Sequence, residues 1–233
     1  MIVAIHQPNF FPWLGYFNKI TRAHRFVFLD HIQLPRKGAG SWVNRVKILI
    51  NGKEAWLTVP IVRGRTGQGF QSINETFISN EPRWREKMIK TIDQNYRKAP
   101  HYEEVRDFLA ELINFPSDNL SDYNQHNIIA ISRLLDISED KFLRSSDLNV
   151  TGQSTELLVN ITKAVGGDAY MCGSGAAGYQ QDELFEKEGL HVIYQEFKHP
   201  GYPQPAAAEF KPGLSIIDAL MNAGIEGAKE ITG

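Results

Sequence analysis

The sequence is poor in the features that mark a secreted, membrane-spanning or metal-dependent protein. It has one cysteine, Cys172, so no internal disulfide can form and nothing argues for an oxidising compartment. Its seven histidines show no HxxxH or HExxH spacing, and no metal centre is expected. No stretch approaches the roughly 20 consecutive apolar residues of a membrane span. The start has neither the basic segment nor the long apolar core of a signal peptide. An excess of charge is lacking too: 25 Lys and Arg stand against 27 Asp and Glu, a net charge of −2. No bulk field therefore recruits nucleic acid or an anionic membrane. Repeats and low-complexity tracts are absent. The expectation is a soluble cytoplasmic protein whose partner is a small molecule.

The 233 residues, 42% hydrophobic and 22% charged, suffice for one sizeable α/β domain with an insertion. Short apolar runs alternate with amphipathic segments of ten to fifteen residues, which predicts parallel βαβ units. Five parallel strands are expected near Ile2–Ile5, Phe26–Leu29, Lys141–Arg144, Ala169–Cys172 and Val192–Phe197. Asn51-Gly52 lies between two β-prone runs and predicts a type I′ hairpin. Three helices should follow it, the third with Ser121 as N-cap. The chain reads as a doubly wound, mostly parallel five-stranded sheet in a single α/β domain, 1–233. Residues 42–136 form a hairpin and helical insertion between the second and third strands. The last helix should end at Gly224.

Ligands in such sheets bind beyond the carboxyl ends of the strands, where strand order reverses. The turn after Ile5, HQPNFFPWLGYF, falls there. It could face the loop after Arg144 or the one after Cys172. His6 suits a general acid/base or a phosphate contact, against the plainer reading of a histidine packed locally. Gln7, Asn9, Trp13, Gly15 and Tyr16 accompany it, and Pro8 and Pro12 would stiffen the turn. The loop CGSGAAGYQ, with Gly173, Ser174, Gly175 and Tyr179, could present backbone amides to an anion. Its glycines could equally serve tight turns. Asp30 ends the second strand, where a carboxylate can meet ribose hydroxyls by analogy of fold. Gln33, Arg36, Lys37, Asn44, Arg45 and Lys47 make a polar, cationic group suited to phosphates or carboxylates, or else a solvated hairpin face. His199, Tyr202 and Gln204 lie in a later loop at the same edge. Cys172 is a possible nucleophile or, more plainly, a small buried residue. Arg63–Phe70, with three glycines and two arginines, suits a moving flap.

Together IHQPNFFPWLGYFNKI, FVFLDHIQ, NRVKI with WLTVP, YMCGSGAAGYQ, YQEFKHPGYPQ and LSIIDALMNAG resemble the WbqC-like protein family, in the same order over nearly the whole chain. Its members occur in bacterial polysaccharide (O-antigen) gene clusters, with a suggested glycine-transferring or related acyl-transferring role. The resemblance implies an enzyme of surface-sugar or secondary metabolism. More distantly, PNFFPWLGYFNKI is similar in layout to the strand–HxGH–helix turn of nucleotidylyltransferases and pantothenate-synthetase-like ligases. Gly15 matches that pattern, whereas Trp13 and Tyr16 replace its histidines.

Three readings follow. In the first, an acyl or aminoacyl group is transferred to a sugar or nucleotide-linked sugar. His6 acts there as base, the amides near Gly173–Gly175 hold an anion, and Arg36, Asn44 and Arg45 hold the donor or the nucleotide. The second is an adenylate-forming ligase or nucleotidyltransferase that requires ATP and Mg²⁺. The third is a sugar-nucleotide-binding protein without chemistry.

Overall fold

In a computed structural model, residues 1–35, 42–64, 71–173 and 180–233 are described. Ile2–His6 (β1) is apolar on both faces, as a strand covered by helices on each side must be. It pairs in parallel with Arg25–Phe28 (β2) on one flank and with Ala169–Cys172 (β6) on the other. Phe142–Arg144 (β5) lies outside β2, and His191–Tyr194 (β7) lies outside β6. The order is β5-β2-β1-β6-β7, all parallel. The chain thus builds outward from β1 to one edge and then returns to the far side of β1. Strand order reverses between β1 and β6. The turn after Ile5 therefore neighbours the end of Cys172's strand, and Arg144 lies at the far edge.

Alternate residues of the strands feed two separate cores. Ala4, Phe26, Phe28 and Met171 pack with helices Leu14–Arg22 (α1) and Ile216–Thr232 (α7). Val3, Ile5, Val27 and Tyr170 pack with Ser154–Ala164 (α5) and Asp182–Lys187 (α6). Between β2 and β5 the chain adds the antiparallel hairpin Arg45–Ile50 (β3) and Lys53–Thr58 (β4). Asn51 and Gly52 both have positive φ, as the hairpin turn requires. Helices Trp84–Tyr96 (α2), Tyr102–Asn114 (α3) and Leu120–Leu134 (α4) follow. No helix among the described residues is long and apolar enough to cross a membrane.

Three local expectations are corrected. The N-cap of α4 is Asn119, whose side chain accepts from the Asp122 N–H, because Ser121 already lies inside the helix. Gly224 kinks α7 rather than ending it. Its φ of 75° is open to glycine, and a Cβ there would lie 2.5 Å from the His101 ring. The last strand stops at Tyr194, since Glu196 takes a positive φ and turns the chain toward α1.

Candidate functional site

The turn after β1 is held on almost every side. The Tyr16 hydroxyl donates to the Gln7 carbonyl at 2.9 Å, and the Asn124 amide donates to the carbonyls of Pro8 (2.8 Å) and Val43 (2.6 Å). The Phe10 N–H donates to Trp42 O, the Ser215 hydroxyl to Phe11 O, and the Ile216 N–H to Pro12 O. Phe10 and Phe11 are wholly buried, and Phe11 sits at φ 37°. A non-glycine residue persists at such an angle only where its surroundings over-determine it. The aromatic side chains of HQPNFFPWLGYF thus serve first as anchors. What they fix in place is His6.

His6 lies at the lip of a cavity of about 470 Å³ at the strand-order reversal. Ile5, Leu29, Leu157 and Tyr170 give it apolar walls, while His6, Gln7 and Gln33 supply polar groups. The first residues of α5, Ser154 and Thr155, close one side. No side chain caps that helix start, so its partial positive charge faces this space.

The His6 ring packs edge-on against Tyr16 (centroids 4.8 Å apart) and Trp13 (5.9 Å). Its Nδ1 lies 3.2 Å from the Gln7 carbonyl. A carbonyl can only accept, so Nδ1 carries the proton and Nε2 is left as an acceptor. Burial, helped by the positive charge of Lys19, lowers the His6 pKa to about 3. The imidazole is therefore neutral at physiological pH.

Lys19 is the residue that the sequence reading missed. It is 4% exposed on α1, and burial lowers its pKa to about 8. Its Nζ lies 3.4 Å from where a Cβ on Gly173 would stand, at the end of β6. Seven consecutive residues of α1, Leu14–Ile20, are buried between sheet and α7. The only hint in the sequence is a lysine inside that apolar, aromatic run.

Other candidate residues have different neighbours. Gly15 is covered by Phe197, whose ring edge would lie 2.7 Å from an added Cβ. Tyr16 is buried, and its hydroxyl is engaged by Gln7. Asn9 is buried, and its Oδ1 finds no partner among the described residues. Both carboxylate oxygens of Asp30 are taken: Oδ1 by the Ser145 hydroxyl and the Ser146 N–H, Oδ2 by the Ser146 hydroxyl. Asp30 therefore ties β2 to the chain leaving β5. Asn44 donates to the Val59 carbonyl and closes the base of the hairpin. Together with Arg45 it lines a second cavity of about 390 Å³, which shares no lining residue with the first. Arg45 lies over the Trp56 ring at 4.1 Å. Tyr202 and Gln204 both donate to the buried Asp218 on α7, each at 2.8 Å. Burial lowers the pKa of His199, whose ring lies against Phe197. Cys172 is buried, and burial raises the pKa of its thiol. Arg36, Lys37, Ser174, Gly175 and Tyr179 lie outside the described residues, as does most of the Arg63–Phe70 loop. Among the described residues no group of three or more His, Cys, Asp or Glu could hold a metal ion.

The sheet is open and parallel, with a cavity at its strand-order reversal lined by a rigid histidine-bearing turn, and doubly wound folds take their ligands at such reversals. The chain belongs to the WbqC-like protein family, whose model matches residues 7–230. It is similar to the uncharacterized protein Rv1507c of Mycobacterium tuberculosis, at 32% identity over 228 residues, covering 96% of this chain and 94% of that protein. No solved structure gives a significant match.

Proposed function

We propose that this protein is an enzyme that transfers an acyl or aminoacyl group, glycyl among the candidates, to the amine or hydroxyl of a sugar or nucleotide-linked sugar. The observation that carries the reading is the His6 ring, fixed through Nδ1 on the Gln7 carbonyl at the lip of the switch-point cavity. In the proposed step the acceptor nitrogen or oxygen bonds to the donor's carbonyl carbon. Its proton passes to Nε2 of His6, the bond to the leaving group breaks, and the proton follows that group. A base with a pKa near 3 is weak. An anion bound near Lys19 would remove one cause of that depression and make the imidazole more basic when substrate is present. The uncapped start of α5 offers a place for a substrate phosphate. The partly buried Trp13 ring offers a face to a sugar.

The surroundings of Gly15 favour this reading over ATP held on the first loop. Phe197 covers the position that matches the ligase pattern, and Tyr16 is buried where a histidine would be needed.

The test is a product search by mass spectrometry, pairing nucleotide-linked amino sugars with glycyl and acyl donors, with and without ATP and Mg²⁺. His6→Ala should lower turnover by about 100-fold or more. Full turnover by that variant would remove the base assignment, and pyrophosphate release dependent on ATP would favour the ligase reading.

A further inference from the structure

Among the described residues, other cations packed against the protein find carbonyl or carboxylate partners, as Arg106 does on Asp93 and Lys47 on Glu54. Lys141 donates to the carbonyls of Ile20, Thr21 and Ala23 at the end of α1. Arg85 donates to those of Ile113, Phe115 and Ser117. Arg22 donates to Gln195 O at 2.8 Å. Lys19 is more deeply buried than these, and among the described residues it has neither a hydrogen-bond acceptor nor a carboxylate within ion-pair distance. An ammonium held away from water without a partner is costly, and a fold keeps one only where something else compensates.

The neighbours of this ammonium do not compensate it. His6, from β1, is neutral. Cys172, from β6, is held as a thiol by burial and carries no charge to offer. Gly173 presents no side chain, and a Cβ there would stand 3.4 Å from Nζ. These groups meet where β1 and β6 part, the place at which open parallel sheets take their ligands.

We infer that Lys19 is the counter-ion of an anionic group of the substrate, a phosphate or a carboxylate, seated at the end of β6 between His6 and Gly173. The inference rests on reading the adjoining ends of β1 and β6 as the substrate site and is independent of the acyl chemistry. It divides the work between two residues: Lys19 holds the anion, and Nε2 of His6 stays free to accept a proton. A bidentate donor such as arginine would fix the orientation of a phosphate. The single point charge of lysine neutralises either anion.

The experiment measures binding of inorganic phosphate and, in a second arm, of acetate, by calorimetry on the full chain against chloride at equal ionic strength. The wild-type protein should bind one of the two saturably. The arm that binds identifies the source of the charge. Lys19→Met should weaken that binding by about tenfold or more, and Lys19→Arg should retain part of it. In the wild type the Lys19 Nζ resonance should move on titration with the same anion, a readout that needs no variant to fold. Binding by Lys19→Met as tight as the wild type, an Nζ resonance unmoved at saturation, or no anion binding above the chloride control would each overturn the inference. Anion binding that survives without any transfer product would remove the acyl reading and leave Lys19 in place. Transfer that survives in Lys19→Met would do the reverse.

Discussion

The Tyr16 hydroxyl donates to the carbonyl of Gln7 at 2.9 Å, folding the first turn of α1 back onto the residue after His6. That carbonyl also holds Nδ1 of His6 at 3.2 Å. One oxygen thus joins the helix start, the turn and the histidine. Tyr16→Phe keeps the ring that packs on His6 and Phe26 but removes the donor. The expected cost is about 1 kcal/mol, read as a lower urea midpoint with an unchanged slope. A midpoint equal to that of the wild type would show that the bond does not hold the turn.

Lys19 predicts a gain in stability from losing a functional group. Its folded pKa, about 8, lies below the ordinary 10.5. Folding therefore bears the full cost of the buried charge below pH 8, and recovers it as pH rises from 8 to 10.5. Lys19→Met should be more stable than the wild type at neutral pH by up to about 3 kcal/mol. The difference should fade toward pH 10.5. Denaturant curves of both proteins at the two pH values decide it, and a wild type at least as stable as the variant at pH 7 would contradict the assignment.

His6 carries a lowered pKa as well, with a different window. Its folded value, about 3, lies below the ordinary 6.5. Its contribution to stability is present above pH 6.5 and is lost as pH falls toward 3. Nuclear magnetic resonance of the ring should show no titration between pH 5 and 8. An inflection near 6.5 in the ligand-free protein would mean that the ring is solvated.

Gly15 is a packing position in this fold. An added Cβ would stand 2.7 Å from the Phe197 ring and 3.0 Å from the Trp13 indole nitrogen. Gly15→Ala should therefore destabilise by roughly 1–3 kcal/mol. Shortening Phe197 to leucine in the same chain should recover part of the loss. A double variant no better than the single one would argue that Trp13 is the obstacle.

The sheet was legible because its strands are short apolar runs, the central three largely buried, and Asn51-Gly52 announces its own turn. The order of the strands was not, because pairing between β1 and β6 joins residues that are distant in the chain. The position of His6 followed from the end of the first strand. Lys19 was hidden because a lysine on a helix ordinarily faces water, whereas here α1 lays that side chain against the end of β6. The internal partners of Asp30 and Tyr202, Ser145 with Ser146 and Asp218, were hidden for a similar reason: they lie in other elements of the chain. Polar residues at a strand end look alike in sequence whether they meet substrate or one another.

Asn124 sends one amide group to the carbonyls of both Pro8 and Val43. That side chain grows from a helix in the stretch between the second and third parallel strands, yet it grips the turn that carries His6. One side chain of that stretch consequently fixes the turn in place. A chimera that transplants this stretch from a relative should therefore shift the turn that carries His6 along with the new helices.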